Sequence, residues 1–90
     1  MTRKQLFSEE MTQVRRDFPG SDLSDLGFDW ALNSFEVLCE KFEHNAHRDF
    51  LDFEGDARRE ARIIILESIA LDNEAKKRVF IRGAEHSFGE

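Results

Sequence analysis

Phe28, Phe35 and Phe42 recur every seven residues, with Leu38 and Ala46 falling between and beyond them at spacings of three and four. A helix gathers residues so spaced on one side, whereas a strand would scatter them over both faces, so the pattern predicts a helix with a Phe-rich core face. The opposite side, Asn33, Glu36, Glu40, Glu43, His44 and His47, follows the same period and is mainly acidic. Asp29 is the expected N-cap of this helix and Asn45 its approximate end.

Thr2 followed by Gln5 has the form of a capping box, and Phe7, Met11, Val14 and Phe18 then repeat at helical spacing; Ser8 is an alternative start. Pro19 and Gly20 stop this first helix near Phe18. Residues 19 to 28 are expected to form a loop with one short helical turn from Ser21 to Leu26, closed by Gly27, with Leu23 and Leu26 tucked onto the core. Phe50, Leu51 and Phe53 anchor an irregular acidic connection broken at Gly55. Asp56 caps the next helix, in which Ala57, Ala61, Ile64, Ile65 and Leu71 form an apolar face widened by Ile63, Leu66, Ile69 and Ala70. So wide a face predicts a position in the middle of the fold. A break at Asp72 or Asn73 is expected to start a last helix carrying Ala75, Val79 and Phe80, stopped by Gly83, with the final residues frayed. The expected fold is all-α, a small bundle of about four helices in a single domain over residues 1–90.

Nine Phe and one Trp offer enough surface to bury for a chain of 90 residues to fold alone. No apolar run reaches the length of a membrane span and no secretion signal is legible, so the expected location is the cytoplasm. A lone Cys39 excludes an internal disulfide and a multi-cysteine zinc site, and its place beside the Phe stripe fits core packing. No phosphate loop or nucleophile motif is present, so neither an enzyme nor a cofactor is expected. Glu40, Glu43, His44 and His47 have offsets that suit a metal on one helical stripe, but the apolar helix offers no matching Glu-x-x-His, and an exposed polar face is the preferred reading. Arg58, Arg59, Arg62 and Lys76, Lys77, Arg78 are interleaved with Glu60, Glu67 and Glu74, and a Glu74–Arg78 helix pair explains the latter better than nucleic-acid contact does.

The net charge of −6 is unevenly spread: residues 17 to 56 hold eleven acidic and two basic side chains, while the flanks are near neutral or slightly basic. An acidic face on a rigid helix suits a partner with a basic cleft, such as a nuclease that must attract phosphates. The segment from Phe35 to Arg48, followed after Gly55 by a helix rich in Arg, Ile and Leu, resembles the colicin D immunity protein family, small helical proteins that include relatives protecting against contact-dependent growth-inhibition toxins. The resemblance spans residues 7 to 71 and is densest from Glu40 to Arg48. Glu40, Lys41, Phe42, Glu43 and Arg48 match the family pattern, whereas His44 and Asn45 replace its Pro-Asp and His47 replaces an acidic residue. The resemblance implies an immunity protein that binds the C-terminal nuclease domain of a cognate toxin, one cleaving transfer RNA, and blocks its active site. Glu36, Glu40, Glu43, Asp49, Asp52 and Glu54 are the expected interface, carboxylates standing in for substrate phosphates. Alternatives are another acidic inhibitor or adaptor, such as a phage-encoded protein aimed at a host nucleic-acid-binding factor, and a metal-binding bundle.

Overall fold

A computed structural model describes residues 1–89, with side chains through Asn73. It is all-helical, with no strand among the described residues: α1 (Arg3–Asp17), α2 (Asp25–Ala46), a single 3-10 turn (Phe50–Asp52) and α3 (Glu54–Gly89). Three α-helices stand where about four were expected, because α3 runs without a break through Asp72, Asn73 and Gly83. The short turn expected at residues 21–26 does not form on its own: residues 21–24 are non-helical, and Asp25 and Leu26 open α2. The expected edge of Ala75, Val79 and Phe80 and the Glu74–Arg78 pair lie outside the described side chains, and the end expected to fray is helical to Gly89.

α1 starts as its sequence dictates. The Thr2 hydroxyl accepts the Gln5 amide at 3.1 Å and the Gln5 side chain accepts the Thr2 amide at 2.7 Å, so two amides that the helix cannot satisfy are paired reciprocally. The helix ends at Asp17, and Gly20, at a φ of 91°, makes the turn that follows in a conformation other residues rarely adopt.

α2 begins four residues before the expected cap. Ser24, not Asp29, is the N-cap, its hydroxyl accepting the Gly27 amide at 3.0 Å, and Asp25 puts a carboxylate at the positive end of the helix. Gly27 is therefore not a stop but part of the first turn. A Cβ there would lie 2.7 Å from the Asp72 Oδ2 of α3 and 3.1 Å from the Ser24 Oγ, so glycine leaves room for these two side chains. At its far end, α2 closes on His47 in the left-handed region with φ 56°, its amide bonded to the Glu43 carbonyl at 2.9 Å.

Asp49 then caps the 3-10 turn by accepting the Leu51 amide at 2.9 Å. Phe50 and Phe53 fold back on Phe42, ring centres 4.6 and 5.4 Å away, and the Arg48 guanidinium lies 4.9 Å over Phe53. α3 starts at Glu54, two residues before the expected Asp56 cap, because the Phe53 carbonyl already accepts the Ala57 amide.

α3 packs against both other helices, as its predicted central position requires, but along a narrower stripe. Ala57, Ala61, Ile65 and Ile69, four residues apart, are buried; Ile64 is half-buried, and Ile63, Leu66, Ala70 and Leu71 face outward. Two neighbours cover only one side of a helix, so the full apolar width read from the sequence is not enclosed. The same holds for Leu26, which is 68% exposed although Leu23 beside it is buried. The core is sealed by Leu6, Phe7, Met11 and Val14 of α1 and by Ala31, Phe35 and Cys39 of α2, with Phe28, Leu32, Leu38 and Phe42 flanking. Phe7 joins the two helices, 5.5 Å from Phe28 and 5.6 Å from Phe35 between ring centres. Ala46, at the end of α2, is exposed. Among the described residues, no helix is long and apolar enough to cross a membrane.

Candidate functional site

Charge that is segregated along the chain is partly mixed again in space. Four arginines from the flanks reach into the acidic middle: Arg3 to Glu43 and Glu40, Arg15 to Asp22, Arg58 to Glu54, and Arg62 to Asp17. This redistribution divides the six carboxylates predicted as an interface. Glu43 is half-buried and held by Arg3 at 2.8 and 2.9 Å. That hydrogen bond is the main reason the Arg3 pKa is raised, against the opposing cost of burial. Glu40 is exposed and touches the same arginine more loosely, at 3.7 Å. Glu54 accepts from Arg58 at 3.1 and 2.8 Å, and Asp49 is occupied in capping the 3-10 turn. Glu36 and Asp52 alone of the six have no cation or cap role among the described residues.

The residues that carry the family resemblance have structural work to do. Phe42 packs between Phe50 and Phe53 and Arg48 covers Phe53, which builds the corner between α2 and α3, while Glu40 and Glu43 bind Arg3 and tie α2 to the start of α1. His47, at the left-handed cap, has left the helical stripe on which a metal site with Glu40, Glu43 and His44 was considered. Among the described residues no group of three or more His, Cys, Asp and Glu side chains could hold a metal ion.

Cys39 is fully buried at the centre of this region. Burial pushes its thiol pKa from 9.0 up to about 11; Arg3 opposes the rise, and Glu43, Asp49 and Glu36 add to it, which places those carboxylates around one point. The native chain therefore holds a proton that the unfolded chain gives up above pH 9. Stability is intact below that pH and falls as pH rises through about 11, by roughly 2 to 3 kcal/mol. Chemical denaturation at successive pH values is expected to show this decline, flattened in Cys39→Ala, and iodoacetamide at pH 8 is expected to label Cys39 only as the protein unfolds.

One feature escaped the sequence reading. Trp30 is 69% exposed and, with Leu26 and Leu71, both more than 60% exposed, borders an open groove lined also by Asp29, Asn33 and Asp72. The sole Trp of a chain, when buried, anchors a core; here it stands on the surface, and large exposed aromatic side chains are the usual anchors of protein interfaces. Its one-turn spacing from Leu26 was visible, but only the depth of the core shows that both lie outside it.

Compared with protein-family models, curated proteins and solved structures, the chain matches none.

Proposed function

We propose that this chain is a non-catalytic inhibitor that binds a protein with a basic cleft, and that the partner is the nuclease domain of a toxin acting on transfer RNA. The observation that carries the reading is the state of the carboxylates along α2 and at the α2–α3 corner. Glu43 and Glu54 are held rigid by Arg3 and Arg58, while Glu36 and Asp52 are left without a cation among the described residues. Fixed carboxylates lose little freedom when they meet cationic groups, and a cleft built to attract phosphates supplies such groups. The resemblance at Glu40, Lys41, Phe42, Glu43 and Arg48 supports the choice of a toxin nuclease. Such an inhibitor acts in the cytoplasm, where the transfer RNA is.

The structure changes which substitutions test this. Glu43→Lys would set a cation against Arg3 and disturb the fold, so Glu36 and Asp52 are the clean probes. The assay is transfer RNA cleavage by a toxin nuclease domain sought among the products of neighbouring genes, with the protein titrated in. Glu36→Lys with Asp52→Lys is expected to weaken inhibition by roughly 2 to 5 kcal/mol, while the exposed Glu67→Lys on α3 changes it little. Inhibition by wild type should also weaken as salt rises. A folded Glu36→Lys, Asp52→Lys variant that inhibits as well as wild type removes this face from the interface; a wild-type protein that leaves cleavage unchanged at saturation removes the inhibitor reading itself.

A further inference from the structure

We infer that the Leu26–Trp30–Leu71 groove is a self-association site, occupied by residues 75–82 of a second copy of this chain. The groove asks for a segment that is both apolar and cationic. Leu26, Trp30 and Leu71 present apolar surface, Asp29 and Asp72 supply carboxylates, and no Lys, Arg or His lines it among the described residues. Two such grooves placed face to face would bring Asp29 and Asp72 against their own copies, a like-charge arrangement that opposes association.

Most of the arginines on the described surface of this chain are already committed. Arg3, Arg15, Arg58 and Arg62 are ion-paired, and Arg48 covers Phe53. Residues 75–82, Ala-Lys-Lys-Arg-Val-Phe-Ile-Arg, are different by sequence alone: four cations, no acidic residue, and Val79, Phe80 and Ile81 in succession. This segment continues the same helix as Leu71, so beyond Ala75 and Lys76, one turn past Leu71 and Asp72, it runs away from the groove of its own chain and cannot fold back onto it. Helix lengths agree with an added partner: α3 has 36 residues and is about 54 Å long, whereas α2, whose first turn lies beside Asp72, has 22 residues and spans about 33 Å. Two α3 helices running antiparallel make the exchange reciprocal, each giving its basic segment to the other's groove in a closed two-fold dimer. This site is separate from the acidic corner and does not depend on the toxin reading.

Trp30 is the only tryptophan, so its emission reports the groove directly. Sedimentation of the full chain over a concentration series is expected to show monomer passing to dimer, with the emission of Trp30 moving to shorter wavelength in step. Trp30→Ala is expected to weaken association about thirtyfold, the loss typical of an interface anchor. Asp29→Lys with Asn33→Lys, and separately Lys76→Glu, Lys77→Glu and Arg78→Glu, should each give a folded monomer by circular dichroism, and mixing the two variants should restore a heterodimer with the blue-shifted emission. A wild-type chain that stays monomeric to its solubility limit, a dimer that persists in the Lys76, Lys77 and Arg78 variant, or reversed variants that do not recombine would each overturn the assignment.

Discussion

Phe35→Ala is expected to remove about 3 to 5 kcal/mol of folding stability, a large share of the roughly 5 to 13 kcal/mol available to a chain this long. Phe35 is fully buried at the middle of α2, and its ring meets Phe7 of α1, so truncation opens a void that both helices border. With Leu6, Met11 and Ile65 also fully buried around a small core, there is little slack with which to fill it. Urea unfolding followed by circular dichroism checks this as a drop in midpoint at unchanged slope. Phe42→Ala is expected to cost clearly less, because Phe42 and its neighbour Phe53 are only half-buried, although Phe50 on its other side is buried with the core. Equal losses at the two positions would show that the core extends through the α2–α3 corner.

The second large effect is expected at Arg58. Its guanidinium binds Glu9 at 2.8 Å, Glu54 at 2.8 Å and Glu10 at 3.4 Å, and these hydrogen bonds, with Glu54 first and Glu9 next, raise its pKa well above the ordinary value. Glu10 is the one charged residue buried with the core of α1, at 8% exposure. Arg58→Met keeps the length and apolar stem but removes the charge, leaving a buried carboxylate without its cation. The expected loss is about 2 to 3 kcal/mol, below that of a fully buried pair because the arginine keeps some contact with water. Glu10→Gln in the same background should recover much of it, since an amide costs far less to bury than a carboxylate. If Arg58→Met costs no more than an exposed substitution, the guanidinium contributes little and Glu10 is satisfied in some other way.

These effects also show what a sequence carries about a fold and what it does not. The Thr2–Gln5 box, the Pro19–Gly20 stop and the Phe stripe were legible because each acts between residues at most a few turns apart. Gly27 was misread because a glycine after a short polar turn looks the same whether it ends that turn or begins the next helix. What decides is the Ser24 hydroxyl, which caps the helix through the Gly27 amide, while the Asp72 carboxylate, forty-five residues away, takes the space a Cβ would fill. The width of the α3 face was overestimated for a related reason: apolar content records what can be buried, while burial itself depends on how many neighbours arrive. At the site, the six carboxylates could be named from charge and resemblance, and the Glu54–Arg58 pair, four residues apart on α3, has a helical spacing, but Arg3 holds Glu43 from forty residues away and such a pair leaves no periodic trace. Trp30 went unremarked because nothing local separates an anchor from a core residue.

The packing of α1 mainly against α3 has a consequence for the order of events during translation. Leu6, Phe7, Met11 and Val14 are made before the helix that closes over them, which is not complete to Ile69 until about 55 residues later. At 5 to 20 residues per second that is about 3 to 11 seconds, during which α2 is the only shelter for their apolar face. The earliest of these three helices is thus the last to be covered. A pause on the ribosome between residues 46 and 69 would prolong the time for which Phe7, Phe28 and Phe35 stand open, and that is the interval in which this chain is most exposed to aggregation.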